Sequence, residues 1–336
     1  MQSAAHSETP SNGSKQDDAS RLQDVIDRIY EKYRNVEDGT VATYIPELGK
    51  ANPDHFGMCL TTAGGRVFRA GDCDKEFTIQ SMCKPFAFQM ALEQCGVEEV
   101  VKRVGVEPSG DAFNSIELDP KTSRPFNPMI NAGAIAVASL IKKDPVEAGI
   151  EAFVGRMSDA AGRQLRIDHA VMRSETLTGN RNRAIAYLMR NFEIIDEYLH
   201  ESLQQYFAQC SVLVTCEDMA MMAATVANMG RNPLTNKQVF DFQYLKYMLT
   251  VMFTCGLYDY AGGWAYEVGL PAKSGVAGGI FGVVNRQLGI SVYSPKLDAQ
   301  GNSVRGILAC KELAKHLGLH AFEFTNVGSS FMQWLL

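Results

Sequence analysis

Between Arg21 and Val36 the apolar residues Leu22, Val25, Ile26, Ile29, Tyr30 and Tyr33 recur every third or fourth position, which predicts one amphipathic helix. The period then shortens. HFGMCLTT, the turn AGG and RVFRAGD read as the two strands of a hairpin. From Ser81 to about Thr254 helical spacing dominates. KPFAFQMALEQCG has Pro85 in its first turn and Gly96 as its stop, a complete helix frame. Further helices are expected over 130–142, 145–161, 180–191, 195–209, 216–229 and 237–252. Short apolar runs return in LPAKSGVAGG, IFGVVN and LGISVYSP, divided by Gly, Asn and Pro, and read as strands. A last helix is expected in NSVRGILACKELAKHLG, where Val304, Ile307, Leu308, Leu313 and Leu317 are periodic.

Strands at both ends and helices between them define an α+β chain. A hairpin alone cannot bury its own face. The simplest arrangement is one antiparallel sheet built from both chain ends, flanked by helices, with a helical lobe inserted between. The expected sheet lobe covers about 21–80 and 255–320, and the helical lobe about 81–254. The crevice between the lobes is the expected place for a site. The polar stretch 1–20 is expected to be a disordered tail, and 321–336 a separate C-terminal tail.

Composition narrows the function classes. The formal net charge of −6 disfavours a nucleic-acid partner, which requires a basic surface. The most apolar run, INAGAIAVASLI, is too short to span a bilayer, so no membrane partner is expected. Eight cysteines lie scattered in apolar sequence without a C-x-x-C pair, the pattern of free thiols in a reducing cytoplasm. Six histidines show no metal-ligand spacing, and neither a metal nor an organic cofactor is expected. His55 and His169 read as surface or loop residues, Cys83 as core, and Arg181 and Arg183 as surface or salt-bridging.

The chemistry concentrates in FTIQSMCKPF at 77–86. Ser81 and Lys84 stand three apart at a helix start and share a face. Lys84 can take the Ser81 proton only if burial or a neighbouring cation lowers its pKa. Taken alone, an N-cap serine and a solvated lysine explain the pair better. A second lysine, Lys273, lies in KSG on a late strand before Gly275, Gly278 and Gly279, whose missing side chains allow close approach to backbone N–H groups. S-x-x-K followed by K-[ST]-G resembles the serine β-lactamase and penicillin-binding superfamily. The superfamily's middle S-x-N motif does not occur here.

Eight segments narrow this to one branch. YIPEL, FTIQSMCKPF, VGVEPSG, FNPMINAGAI, SETLTGNRNRAIAY, QYFAQCSV, CGLYDYAG and GLPAKSGVAGG occur in the order of the serine-dependent glutaminases. The chain resembles that family from about Val41 to Leu317. The resemblance implies a β-lactamase-like fold and hydrolysis of L-glutamine to L-glutamate and ammonia. It implies Ser81 as nucleophile, Lys84 as general base and Tyr258 as proton relay. It further implies Ser81 and Val276 as oxyanion-hole amides, and Tyr44, Asn131, Glu175, Asn182 and Tyr206 as substrate contacts. Lys273 would help to hold Lys84 neutral. A homodimer or homotetramer is implied as well. The residue types suit a zwitterion with an amide arm: Glu175 for the ammonium, and amides and phenols for the carboxylate. A penicillin-interactive serine hydrolase and a non-catalytic amino-acid-binding module are the alternatives.

Overall fold

A computed structural model describes residues 12–110 and 114–323. Helix α1 runs Asn12–Tyr33 and so begins within the stretch expected as a tail. Once a helix is anchored by its packed half, each added residue gains a hydrogen bond without a new nucleus, so polar sequence can extend it. Residues 1–11 of that tail, and 324–336 of the C-terminal one, lie outside the described residues.

The expected hairpin forms as β1 (Gly57–Thr62) and β2 (Val67–Gly71). Strand β3 (Phe77–Thr78) leads into a 3₁₀ turn over Gln80–Cys83, and the chain continues directly into α2 (Lys84–Cys95). Then follow α3 (Val97–Arg103), α4 (Asn131–Ile141), α5 (Val146–Ala161), β4 (Arg166–Ile167), α6 (His169–Thr178) and α7 (Asn180–Asn191). Next come α8 (Leu199–Cys210), β5 (Val212–Val214), α9 (Cys216–Ala227) and α10 (Phe242–Cys255). After α11 (Ala261–Glu267) the chain forms β6 (Ala272–Gly275), β7 (Gly279–Val284), β8 (Leu288–Tyr293) and α12 (Val304–Leu317).

The main sheet has the order β2-β1-β8-β7-β6, antiparallel throughout. It joins the two chain ends through β1 and β8, with Gly57 opposite Tyr293 and Thr62 opposite Leu288. Both faces are covered. Met58, Leu60, Ile280, Ile290 and Val292 point to one face and pack with Ile26 and Ile29 of α1 and Ile307 and Leu313 of α12. Cys59, Phe281, Val283 and Tyr293 alternate to the other face, in one core with Met219, Ala220, Met222 and Ala223 of α9. Helix α9 thus lies on the sheet although it falls within 81–254, the stretch expected to form the helical lobe. Small residues permit this. A Cβ at Gly289 would stand 2.3 Å from the Ala224 nitrogen and 2.5 Å from the Ala220 oxygen.

That contact makes a stability prediction. Gly289→Ala must push α9 off the sheet and should destabilise by about 1–3 kcal/mol, as overpacked cores do. Gly155 is the opposite case, exposed within α5 with nothing near its Cβ position. Gly155→Ala should stabilise by about 0.5–1 kcal/mol. Denaturant midpoints that move in opposite directions for the two variants check both.

A second, small sheet has the order β3-β5-β4. It was not legible as strands. Its function is local: β3 pairs with β5, and the Ile79 N–H bonds the Val212 carbonyl at 2.8 Å. The turn that carries Ser81 is thereby fastened to the end of α8.

Candidate active site

The 3₁₀ turn places Ser81 and Lys84 on successive turns, with the Lys84 N–H bonded to the Ser81 carbonyl. Gln80 enters it at φ +49°, in the left-handed region that a non-glycine residue occupies only under constraint. Strand β6 presses on this turn. A Cβ at Gly275 would lie 3.0 Å from the Ile79 oxygen and 3.3 Å from Met82 Cγ, so glycine in KSG is what lets the two backbones meet.

Lys84 is almost fully buried. Its Nζ donates to Asn131 Oδ1 at 2.8 Å and to the Met129 carbonyl at 3.2 Å. Burial lowers its pKa to about 8. Asn131, the first residue of α4, is the centre of a chain of contacts. Its Oδ1 also accepts from the Tyr206 hydroxyl at 3.2 Å, and its Nδ2 donates to Asn182 Oδ1 at 3.0 Å.

Glu175 and Asn182 approach from a helix break. Asp168 caps α6 by accepting from the Ala170 and Val171 N–H groups, which sets Glu175 near the end of that helix. Gly179 then lets the chain bend into α7, because a Cβ there would lie 2.7 Å from both the Glu175 oxygen and Phe207 Cζ. Asn182 follows in the first turn of α7. Glu175 is buried, and burial raises its pKa to about 7, opposed by a hydrogen bond from Gln80 and by the Lys84 charge.

Tyr258 arrives from the stretch that follows α10. A Cβ at Gly256 would stand 1.7 Å from the Ala272 oxygen, so the end of α10 abuts β6 and delivers Tyr258 at φ +56°. Its hydroxyl donates to the Ser274 carbonyl at 3.3 Å and is hydrogen-bonded to Ser81. Burial pushes the phenol above its ordinary range. Behind it, Lys273 Nζ lies 4.1 Å from the Tyr258 ring centroid and donates to the Gly256 and Ser274 carbonyls, each at 2.8 Å. Burial, then the Lys84 charge, push Lys273 well below its ordinary pKa.

These groups are not all in one cavity. Tyr44, Ser81, Asn131, Glu175, Asn182 and Tyr206 line a common space of about 100 Å³. Tyr44 stands at its lip, 56% exposed. Tyr258 borders a smaller void with Met129 and Asn127, and Val276 borders a neighbouring cavity with Phe77 and Tyr293. Lys84 reaches the common cavity through Asn131.

Sequence reading missed Gln80, which lines the cavity and bonds Glu175. Arg181, read as surface or salt-bridging, is exposed and also lines the cavity, with Nη1 3.5 Å from the Asn114 carbonyl. Arg183 bonds Asn180 and Thr176 instead. Cys83 is core as expected, its sulfur 4.0 Å from that of Cys210, which borders the cavity.

The family model described as Glutaminase matches residues 39–322. A glutaminase of Trichormus variabilis is 51% identical over 308 residues, 92% of either chain. One of Nostoc sp. is 50% identical over 92% of this chain and 93% of its own. Among solved structures, a probable glutaminase, ybaS, superposes with a TM-score of 0.88 at 38% identity, covering 91% of this chain and 99% of its own. Mglu, solved in its glutamate form, gives 0.85 at 41% identity over 89% of this chain and 69% of its own.

Proposed function

The chain belongs to the glutaminase family of enzymes, and from that premise we propose that it hydrolyses L-glutamine to L-glutamate and ammonia through an ester on Ser81. The observation that carries this reading is the shared cavity. It combines a buried serine, one buried carboxylate and a row of amides and phenols, which suits a small zwitterion with a neutral amide arm. The similar structure Mglu was solved in its glutamate form, and glutamate is the product proposed here.

Ser81 Oγ attacks the side-chain amide carbon, and its proton passes to Lys84. The resting hydrogen bond runs from Ser81 to Tyr258, whereas the base with the accessible pKa is Lys84. Tyr258 is assigned the relay: as it receives the Ser81 proton, its own hydroxyl proton leaves the Ser274 carbonyl and passes to Lys84. The oxyanion is assigned to the N–H groups of Ser81 and Val276, for which no backbone acceptor is found among the described residues. Collapse breaks the carbon–nitrogen bond, the proton returns to nitrogen, and ammonia leaves. Water then attacks the glutamyl ester with the same base, and glutamate and Ser81 are released. Lys273 acts through Tyr258, holding its ring against the backbone of β6. Burial lowers the Lys84 pKa to about 8, and the charge interaction between Lys84 and Lys273 is consistent with Lys273 helping to make the neutral form available. Eight unpaired thiols, seven of them buried, support the reading of a reducing cytoplasm.

The pH dependence tests the assignment. Glu175 must be anionic to hold an ammonium, which fails as pH falls through about 7. Lys84 must be neutral to accept a proton, which fails as pH falls through about 8. Both losses lie on the acid side, so kcat/KM for ammonia release from glutamine should climb from pH 6 to about pH 8.5, before the substrate's own ammonium begins to lose its proton. An optimum on the acid side of 7 would reject these two roles.

A further inference from the structure

We propose that Asn131 is a positioning residue for the general base as well as a substrate contact: its side-chain oxygen and the Met129 carbonyl hold both N–H groups of a neutral Lys84, so that the nitrogen lone pair is left for the incoming proton. This rests on Lys84 serving as base in the reaction above.

A neutral primary amine has two N–H groups and one lone pair. Around Lys84 Nζ, the Met129 carbonyl and Asn131 Oδ1 are acceptors only, at 3.2 and 2.8 Å. Each therefore takes an N–H, and neither can occupy the lone pair. The orientation of the Asn131 amide is fixed from two further sides. The Tyr206 hydroxyl donates to the same Oδ1, and Asn182 Oδ1 accepts from Nδ2. Reversing the amide would set its NH₂ against the Lys84 nitrogen, where it would occupy the lone pair, and an oxygen against the Asn182 oxygen. The network thus specifies which end of Asn131 faces the base. Its other end lines the cavity beside Asn182, so the same amide joins the base to the groups assigned to the substrate carboxylate.

The acceptor must also be neutral. A carboxylate at this position would stabilise the Lys84 ammonium and remove the base near neutral pH. The other groups facing Lys84 are Cys83 on its own turn, Cys210 and Tyr206 on α8, Glu175 on α6, and Lys273 on β6 over the Tyr258 ring.

The experiment is the pH dependence of kcat/KM for ammonia release by the wild type and by Asn131→Asp, which keeps the shape and adds the charge. The more alkaline limb should move up by about one to three pH units in the variant, the shift expected of an opposite charge in contact. A residue that only grips the substrate carboxylate would raise KM at every pH and leave the limb in place; that result overturns the proposal. If Asn131→Asp does not fold, Tyr206→Phe decides. It removes the competing donor on Oδ1 together with one cavity hydroxyl, strengthens the Lys84 contact, and should move the same limb in the same direction by less; an unmoved limb there overturns the proposal. A wild type that releases no ammonia from glutamine would instead reject the reaction assigned to the site.

Discussion

Ser81→Ala should fold normally and release ammonia from glutamine more slowly by on the order of 10⁴-fold or more, because no covalent intermediate can form without the hydroxyl. Structural damage should be slight. The side chain is buried, but its hydroxyl takes part in one described side-chain contact, with Tyr258, and the loss of such a bond is worth about 1 kcal/mol. The turn itself is held by other residues: Ile79 bonds Val212, and Gly275 fits against it from β6. A loss in kcat with an unchanged thermal midpoint would therefore locate the defect in the chemistry. Glutamine should still bind to the variant, since Glu175, Asn131 and Asn182 are untouched.

Glu175→Gln should reduce activity and increase stability at the same time, with a pH signature for the second effect. The carboxylate is raised from 4.5 to about 7 by burial. In the unfolded chain it ionises from 4.5 upward, whereas in the fold it resists until about 7. Stability is therefore lost as pH rises from 4.5 to 7, and the full penalty persists above 7. Converted by linkage, that penalty is roughly 3 kcal/mol. Glu175→Gln removes it, so the variant should be the more stable protein at pH 8 by up to that amount and no more stable at pH 4.5. The same substitution removes the anion that faces the substrate ammonium. Loss of one partner from a buried charge pair costs about 2–5 kcal/mol, which corresponds to roughly 30-fold to several-thousand-fold in kcat/KM. Stability gained where activity is lost is the trade expected of a functional carboxylate. Denaturation at the two pH values together with kinetics at pH 8 checks both halves; a variant destabilised at pH 8 would contradict the account of Glu175.

Much of this architecture was legible because long elements carry redundant signals. Helix α2 announced itself through Pro85 and Gly96 and runs Lys84–Cys95. The hairpin and the late strands each lacked a partner, and pairing β1 with β8 satisfies both. The strands of the small sheet are two or three residues long, too short to show a period, yet they fasten the Ser81 turn. Helix α6 escaped notice because most of HAVMRSETLT is polar and its start depends on a cap at Asp168. Helix α9 was seen as a helix, but its place on the sheet was not. Its buried residues extend round the whole helix, which is the mark of one covered on all sides.

The site was legible in a different way. Ser81 and Lys84 are neighbours in sequence, but nothing local shows that the lysine is buried, and burial is what makes it a base. Contacts such as Lys84 with Asn131, or Tyr258 with Ser274, arise only when distant helices and strands are packed together. Gln80 was passed over because a polar residue before a serine carries no signal of its φ or of its bond to Glu175. The resemblance to a family identified the residues, and the packed structure supplied the reason each is suited to its role.

The covalent route through Ser81 is the central claim, and partitioning of the acyl group tests it most directly. Glutamine and a γ-glutamyl ester would be turned over separately with a fixed concentration of hydroxylamine, and the ratio of γ-glutamyl hydroxamate to glutamate measured for each. Both substrates pass through the same Ser81 ester in this account, so the two ratios should be equal whatever the leaving group. Ratios that differ between the two substrates would mean that water attacks each directly, and would contradict the acyl-enzyme.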